Sequence, residues 1–507
     1  MTRNYEVVVI GGGPVGTVAL ALLGHAGIHA VGIERDVDLW SQARAVHFDG
    51  ETMRALQGIG IGDQVLARCR PMTNVRMENE AGETLMAQPT GQRGPQAWHD
   101  DVMFHQPEVD ALLRAEVERL PGVELRLGTT LVGLEQDDRR AHCRVQNADG
   151  TSEVLAARWV IGCDGAWSTV RGLLGIPLES LGTDDPWLVV DGCLRDSPGI
   201  PGDMVFLGHY TRPALWVRLT GDRVRMEFKI MPGDDRKEIV TPAAIARISR
   251  GVLTPENFTP DRTAVYTFRA LVAERWRVGN VFLAGDASHQ APPLFGQGLC
   301  AGLRDVVNLA WKLRLVATGR ASEDLLDTYE SERRPHARYW VERAATMAGL
   351  IQTTDPDTAA GRDAHLRANP AAAAPPPAPP LGPGLHTGAR DERAGRLSIQ
   401  PVLADGQRLD DLVGVRFLLA TSPQLLDGLA PDTRAAVEAD PETVVLTAPK
   451  QVGQLLASVE APAVVVRPDR YILGVADTAA DLESLLRLLP MTSPRGDAAA
   501  VPVPPSR

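Results

Sequence analysis

A glycine-rich turn near the start of the chain, with the sequence GGGPVG at 11–16, constrains the fold more than any other feature. It follows an apolar, β-branched run at 5–10 that is typical of a buried parallel strand, and a helical pattern comes after it. Gly11 permits the tight turn, Gly13 lets the backbone approach a pyrophosphate, and Gly16 lets the helix pack closely on the strand. The anion would lie at the helix N-terminus, where unpaired N–H groups and the helix dipole favour negative charge. The turn therefore predicts a dinucleotide-binding βαβ unit.

The next strand supports this prediction. Residues 29–35 (HAVGIER) have a strand pattern, and Glu34 at its end can accept hydrogen bonds from a ribose diol. A glycine-rich turn without a ligand is the alternative interpretation. The fingerprint also does not separate a flavin from a nicotinamide dinucleotide, because the two share their ADP half.

A second strand-and-turn segment, VFLAGDA at 281–287, favours the flavin. Asp286 follows the carboxyl end of a predicted strand, where its carboxylate can accept a hydrogen bond from a ribityl hydroxyl. The turn that comes next leads into a helix whose N-terminus would face the ring system and stabilise negative charge on a reduced flavin.

Composition limits the class of protein. A chain of 507 residues exceeds what one hydrophobic core usually organises, so several domains are expected. The net charge of −12 argues against a nucleic-acid partner and against an anionic membrane surface. There is no signal-peptide pattern and no apolar run long enough to cross a bilayer. The cysteines are scattered without a CxxC pair, so we expect no bound metal, no disulfide framework and a cytoplasmic location.

Shifts in pattern along the chain divide it into parts. Short alternating segments in the middle of the sequence indicate an antiparallel sheet, and a run of prolines indicates a stiff linker. The predicted division is an FAD-binding domain made of 1–179 and 271–368, a substrate-binding antiparallel sheet at 180–270, a Pro-rich linker at 369–384, a small separate domain at 385–490 and a disordered tail at 491–507.

Four motifs together resemble the class A flavoprotein aromatic hydroxylases, which have the p-hydroxybenzoate hydroxylase fold. Within that group the resemblance is greatest to the 3-(3-hydroxyphenyl)propionate hydroxylases and the polyketide hydroxylases. The motifs are GGGPVG at 11–16, IGCDGAWSTVR at 161–171, FLAGDASHQAPPLFGQG at 282–298 and YESERRPH at 329–336. The last domain is similar to the thioredoxin-like module of several such enzymes, although it has no cysteine for disulfide exchange. The resemblance implies an α/β fold with a Rossmann-like FAD-binding domain, an antiparallel-sheet substrate domain and a C-terminal thioredoxin-like domain.

The resemblance also implies an activity. A protein of this group binds FAD, consumes NADPH or NADH, and hydroxylates a phenolic substrate with O2 through a flavin C4a-hydroperoxide. The partners would be a small aromatic molecule and O2, and a homodimer is allowed. Two alternatives stay open, namely a flavin oxidoreductase or monooxygenase of the same fold that acts on a non-phenolic substrate, and a flavin-binding protein without turnover.

The resemblance assigns cofactor contacts residue by residue. Arg44 would lie beside the pyrophosphate and flavin, Gln106 near the ribityl chain, and Leu131 against the adenine. Arg35 and Arg44 could instead be solvated surface charges, and Asp164 could cap a helix. The full set of cofactor-binding candidates is Gly11, Gly13, Pro14, Val15, Gly16, Glu34, Arg35, Arg44, Gln106, Leu131, Asp164, Gly165, Asp286, Gly296, Gly298, Leu299 and Cys300.

Three residues are candidates for catalysis. His47 and His289 could carry protons, although a single histidine near a ligand site is more often a packing residue. Pro293, in the turn that follows Asp286, is the third candidate. We expect the charges of the 329–336 segment, Glu332 among them, to form ion pairs on a helix surface.

The substrate contacts are the least constrained. Strand alternation places Trp216 and Arg218 on one face of their strand and Arg225 on one face of the next. An inward Arg218 or Arg225 would suit a carboxylate, with a solvent-facing charge as the default interpretation. Phe295 stands where the family usually has glycine, and its bulk would alter the substrate contacts that the resemblance implies. Cys300 stands where the family commonly has asparagine, but it can still offer its backbone N–H to the flavin. A phenolic acid and a larger polycyclic phenol are both allowed.

Overall fold

The computed structural model describes residues 2–38, 44–182, 184–195, 202–293, 296–369 and 377–490. Three expectations therefore fall wholly or partly outside the described residues. They concern Phe295, residues 370–376 of the Pro-rich linker, and the tail at 491–507.

The first sheet has eight strands and is parallel at its centre. Thr2–Ile10 lies between Ser152–Gly162 and Ala30–Ile33, and every residue from Val7 to Val9 is fully buried. This burial explains the continuous apolar run, because helices cover both faces of such a sheet. The strands are Thr2–Ile10, Ala30–Ile33, Val123–Arg126, Thr130–Gln136, Ala141–Gln146, Ser152–Gly162, Arg277–Val278 and Val281–Leu283. The Rossmann-like domain is confirmed.

The register of this sheet brings the first three of the four motifs to one edge. Ile10 pairs with both Gly162 and Ile33, and Gly162 also pairs with Leu283. The glycine turn at 11–16, the DG segment (Asp164 and Gly165) and the GD segment (Gly285 and Asp286) each begin just after these residues. Ligands of open α/β sheets bind at the carboxyl ends of the strands, so this edge is the expected site.

The second large sheet has seven strands and packs against the first domain. Five strands come from the predicted range 180–270, and two come from much earlier in the chain. Its strands in spatial order are Phe258–Phe268, Asp185–Leu194, Arg223–Lys229, Ala214–Arg218, Met204–Gly208, Asn74–Asn79 and Thr84–Pro89. The domain division stays a prediction, and the two early strands pair with the strands of its substrate part.

Both faces of this sheet are covered. One face, called the outer face below, carries buried side chains such as Leu188 and Phe228, which pack with Ile245 of the helix Pro242–Ile248. The other face carries Leu215 and Val217, which pack with Val46 and Met103 of the first domain. The second face is called the inner face below.

The remaining elements connect these sheets. Two three-stranded sheets contain His47–Asp49, Cys69–Pro71 and Asp101–Phe104, and Leu178–Ser180, Leu271–Ala273 and His289–Gln290. Up to the linker, the helices are Pro14–His25, Gly50–Gly58, Gly62–Leu66, Gln106–Arg119, Thr169–Leu173, Pro242–Ile248, Gln297–Ala317, Thr328–Ile351 and Pro356–Ala368, with 3-10 turns at Gly285–Ala287 and Glu323–Asp327.

The C-terminal domain has a four-stranded mixed sheet. Its strands in spatial order are Thr443–Leu446, Phe417–Thr421, Ala463–Val466 and Ile472–Ala476. The helices are Leu409–Val413, Pro423–Asp427, Pro431–Ala439, Pro449–Ser458 and Ala479–Leu486. A parallel βαβ unit followed by an antiparallel hairpin and a helix is the thioredoxin-like arrangement.

A buried ionic network joins this domain to the first. The Glu332 carboxylate lies 2.7 Å from Lys312 Nζ and 2.7 Å from an Arg467 guanidinium nitrogen, and all three side chains are fully buried. Arg333 is equally buried and donates to Asp305 over 3.0 Å. The expectation of surface ion pairs for this helix is therefore wrong for Glu332 and Arg333, because the C-terminal domain covers Glu332 and the core encloses Arg333.

Candidate active site

The glycine turn has the geometry of a phosphate cradle. Gly11 has φ +103°, and a Cβ there would lie 2.5 Å from the carbonyl oxygen of Cys163. A Cβ on Gly16 would collide with the carbonyl oxygen of Gly11. At Gly13, by contrast, a Cβ would meet no atom of the described residues within 4 Å. The turn is therefore tight where strand and helix meet and open in front of the N-terminus of Pro14–His25.

The acid at the end of the second strand is fixed by backbone donors. Glu34 accepts hydrogen bonds from the N–H groups of Gly12 at 2.7 Å and Asp36 at 3.0 Å. This places a half-buried carboxylate beside the cradle, where its remaining lone pairs fit a ribose diol. Arg35 is exposed.

The DG segment forms a helix cap next to the cradle. Asp164 accepts from Ser168 Oγ at 2.5 Å and from the N–H groups of Thr169 and Val170 at 2.7 and 3.1 Å. The capping alternative thus describes what Asp164 does here. Gly165 has φ +81° and open space around it.

Arg171 connects the second motif to the third. Its guanidinium donates to the carbonyl oxygens of Ala287 and Ala166, both at 2.9 Å. These bonds hold the 3-10 turn Gly285–Ala287 against the DG segment.

Asp286 lies in this turn with its side chain exposed. Desolvation by the surrounding protein raises the pKa of its carboxyl, with His289 and Arg44 opposing the shift. An exposed carboxylate at this strand end can accept a hydrogen bond from a ligand hydroxyl.

His289 is a packed residue rather than an open one. It is 1% exposed, its Nε2 lies 2.8 Å from Asp305 Oδ2, and its ring stacks on Trp276. The Asp305 carboxylate also accepts from the N–H of Gly285 at 3.0 Å, so His289 supports the turn that presents Asp286. Pro293, the third catalytic candidate, is half-buried, and its carbonyl accepts from the N–H of Gly296 at 2.9 Å.

The helix Gln297–Ala317 begins beside His47. Gly296 has φ +63°, and a Cβ on it would lie 2.5 Å from His47 Nδ1. Among the described residues, no atom lies within 4 Å of a Cβ placed on Gly298. A second helix N-terminus is therefore open on the side of Gly298 as far as these residues show. Leu299 is half-buried, and Cys300 is buried with its thiol 3.8 Å from the carbonyl oxygen of His47.

His47 itself is 5% exposed, and its Nε2 lies 2.7 Å from Asp101 Oδ1. Within the described part of the chain, its Nδ1 is buried and has no hydrogen-bond partner. Burial lowers the pKa of this imidazole, but Asp101 and Cys300 outweigh it and set the pKa well above the ordinary value. His47 is thus disposed to carry a positive charge at the start of this helix.

Two further cofactor candidates take part in local structure. Gln106 Oε1 accepts from the N–H groups of Arg44 and Ala45 at 2.8 and 2.9 Å. Gln106 therefore shapes the segment leading to His47. Arg44 has an exposed side chain, and Leu131 is buried in its strand.

The substrate candidates divide between the two faces of the second sheet. Trp216 pairs in register with Met226 and is buried among the apolar residues of the outer face. It does not face the first domain, so its proposed substrate contact is wrong. Arg218 is exposed at the end of its strand. Arg225 is buried on the inner face and donates to the carbonyl oxygen of Arg44 at 2.9 Å.

Sequence reasoning missed the partners of Arg225. Asp191 accepts from its guanidinium at 2.6 and 3.0 Å, and buried Arg262 and Glu227 lie in the same group. The alternation that places Arg225 on one face of its strand places Glu227 on the same face, and this pattern could have found the group if the charges were not read as solvent-facing by default.

Within the ranges that the structure describes, no helix is both long and apolar enough to cross a membrane. The same residues include no group of His, Cys, Asp and Glu side chains arranged to hold a metal ion.

Comparison with known proteins places these features in context. A family described as an FAD binding domain matches residues 4–344. A probable NADH-specific resorcinol 4-hydroxylase of Rhodococcus jostii is 34% identical over 99% of this chain and 96% of its own. A 3-(3-hydroxy-phenyl)propionate/3-hydroxycinnamic acid hydroxylase of Burkholderia vietnamiensis is 35% identical over 93% of this chain and 94% of its own.

Solved structures agree with the fold. The flavin-dependent monooxygenase PieE, crystallised with FAD and substrate, has a TM-score of 0.80, 23% identity, and covers 96% of this chain and 98% of its own. The p-nitrophenol 4-monooxygenase PnpA of Pseudomonas putida has a TM-score of 0.67, 26% identity, and covers 72% of this chain and 94% of its own.

Proposed function

Because this chain belongs to the FAD binding domain family and, within it, to the class A flavoprotein aromatic hydroxylases, we propose that it uses NADH and O2 to hydroxylate a small, uncharged phenol. The observation that carries the proposal is the pair of helix N-termini that open at one edge of the site. Gly13 fronts the first and Gly298 the second, and each leaves space that a Cβ would fill. This is the arrangement that an FAD molecule needs at its pyrophosphate and at the pyrimidine edge of its ring.

The residues present fit FAD. Glu34 would hold the adenosine ribose, Asp286 the ribityl chain, and Gly298 and Leu299 would donate backbone N–H groups to the ring. The proposed cofactor contacts are kept for Arg35, Arg44, Leu131 and Gly165. The phosphate cradle is shaped by Gly11, Pro14, Val15 and Gly16. Gln106, Asp164 and His289 support the segments that carry these contacts. When bound, FAD supplies the acceptance of hydride from NADH and the activation of O2.

The protein's own contribution is to charge and shape the site. A protonated His47 would place an N–H donor at Nδ1, beside Gly296, where it stabilises negative charge near the helix N-terminus. The inner face of the second sheet would cover the substrate and keep water from the reacting ring.

The choice of an uncharged phenol rests on charge pairing. The guanidinium of Arg225 forms two hydrogen bonds with Asp191, and an ionised Glu227 balances the charge of Arg262, so the buried group has no net positive charge to offer a substrate carboxylate. This favours a substrate like resorcinol, named for the Rhodococcus relative, over a phenolic acid. The same relative's description supports NADH over NADPH. O2 as second substrate, a homodimer and a cytoplasmic location are part of the proposal.

Anaerobic reduction of the purified, FAD-loaded protein tests it. We expect NADH to bleach the flavin spectrum faster than NADPH, and resorcinol to accelerate the reduction more than 3-(3-hydroxyphenyl)propionate. The dimethyl ether of resorcinol, which has no phenolic hydroxyl, is the control. Equal acceleration by the ether would favour a non-phenolic substrate, and a flavin that neither nucleotide reduces would indicate a protein without turnover.

A further inference from the structure

The inner face of the second sheet carries a buried group of charges. Arg225, Glu227, Asp191 and Arg262 are 4%, 3%, 6% and 6% exposed, and they lie on three adjacent strands. Charged side chains are rarely buried unless they are paired or used. Arg225 and Asp191 form the pair, and Arg262 lies 3.5 Å from the same carboxylate and over the ring of Tyr266.

The burial of the Glu227 carboxylate is not explained by ion pairing. Its Oε1 lies 3.8 Å from Arg225, which is too long for a hydrogen bond, and its buried Oε2 has no partner among the described residues. An unsatisfied buried carboxylate oxygen is costly, so the group is expected to have a use.

The position of Glu227 points to the reaction site. Leu215, its direct neighbour across the sheet, packs with Val46 and Met103 of the first domain. Val46 precedes His47, and Met103 lies in the strand that holds Asp101. The side chain of Glu227 therefore lies on the face of the second sheet that packs towards the strand His47–Asp49.

The charges around Glu227 suit exchange of one proton. Burial raises the pKa of its carboxyl to about 7, with Arg225 and Arg262 lowering it and Asp191 raising it. With Glu227 ionised, the two arginines balance the two acids. When Glu227 is protonated, one positive charge of the group is uncompensated, and an anionic ligand can balance it.

Resting on the proposed function, we propose that Glu227 accepts the proton of the substrate's phenolic hydroxyl, with Arg225 and Arg262 stabilising the phenolate. The O–H bond of the phenol breaks and an O–H bond forms at Glu227 Oε2, with no change in oxidation state. The total charge of the group and substrate is unchanged, because the negative charge passes from the carboxylate to the phenolate. An electron-rich phenolate is the form of the ring that an electrophilic oxygen attacks most readily.

A chromogenic phenol tests the step without turnover. Binding of 4-nitrophenol to the oxidised, FAD-loaded protein would be followed by its phenolate absorbance at several pH values around 7. We expect the wild type to bind the phenolate at pH values where free 4-nitrophenol is largely neutral, and Glu227→Gln to bind the neutral form. The same absorbance in both proteins, or no phenolate in the wild type, would overturn the proposal. Because no turnover is needed, failure of the hydroxylase function would not produce this result.

Turnover provides the second readout. Phenol-dependent hydroxylation by the wild type should rise with pH through about 7, and Glu227→Gln should lose this rise and roughly 100-fold in rate. Glu83→Gln, at an exposed turn of the same sheet, is the matched control and should keep both the rate and its rise with pH. If Glu227→Gln fails to retain FAD, Glu227→Asp replaces it, and loss of the pH-dependent rise in that FAD-loaded variant would overturn the proposal.

Discussion

The phenol of Tyr471 donates a hydrogen bond to a carboxylate oxygen of Glu51 over 2.8 Å. Tyr471 belongs to the C-terminal domain, and Glu51 to the helix Gly50–Gly58 of the first domain. The other oxygen of Glu51 accepts from Arg304, which also donates to Gln297 at 2.8 Å. Gln297 is the first residue of the helix whose N-terminus faces the proposed flavin ring. The C-terminal domain is thus connected to the active site through side chains.

Removing the Tyr471 hydroxyl should weaken this connection. We expect Tyr471→Phe to lower the free energy of unfolding by about 2 kcal/mol, because the bond involves a charged acceptor in a buried setting. Thermal unfolding of the FAD-loaded protein measures it. Tyr339→Phe, whose hydroxyl makes only a long, exposed contact of 3.4 Å, should unfold like the wild type. Equal melting temperatures for all three proteins would show that the connection contributes nothing.

The buried network around Glu332 should contribute more to the free energy of unfolding than the hydrogen bond between Tyr471 and Glu51. Glu332→Gln leaves Lys312 and Arg467 without their shared carboxylate, and breaking such a buried pair costs about 4 kcal/mol. Chemical denaturation is the measurement, and Glu342→Gln on the exposed side of the same helix is the control. A loss below about 1 kcal/mol for Glu332→Gln would mean that the domain interface does not depend on this network.

Alanine substitutions at two glycines of the cradle should have different effects, one on cofactor binding and the other on folding. Gly13→Ala has room for its Cβ, so the protein should fold normally but bind FAD much more weakly, because the methyl group fills the pyrophosphate space. Gly16→Ala collides with the Gly11 carbonyl and should destabilise the fold itself. Circular dichroism and FAD titration check both variants. Normal FAD affinity in Gly13→Ala would contradict the assigned position of the pyrophosphate.

The pKa of Glu227 predicts a pH dependence of stability. A folded-state pKa of about 7, above the unfolded value, stabilises the folded protein at low pH, and this contribution is lost as the pH rises through 7. Relative to the wild type, Glu227→Gln should therefore gain about 1 kcal/mol between about pH 6 and about pH 8. Denaturation at the two pH values measures the difference. A stability difference that does not change with pH would show that Glu227 titrates normally.

The sequence allowed prediction of those features that local pattern determines. A strand end is indicated by each of GGGPVG, the DG segment and the GD segment, and parallel pairing brings the three ends to one edge of the sheet.

The prediction for Trp216 is wrong because both faces of its sheet are buried. Alternation alone therefore does not say which face points towards the first domain.

Long-range contacts explain the other differences. Glu332 meets Arg467, 135 positions away, and a charged helix segment gives no sign that another domain will cover it. The strands Asn74–Asn79 and Thr84–Pro89 join a sheet whose other strands begin more than a hundred residues later. Strand pairing over such distances depends on the assembled fold rather than on local propensity.

The proposed reaction transfers an oxygen atom from O2 to a phenol. Turnover of the FAD-loaded protein with NADH and resorcinol under isotopically heavy O2, followed by mass spectrometry of the product, measures this transfer. We expect a hydroxylated resorcinol that carries the heavy isotope in its new hydroxyl group, formed with consumption of NADH. NADH oxidation that releases only hydrogen peroxide, with resorcinol and every other phenol offered recovered unchanged, would contradict it.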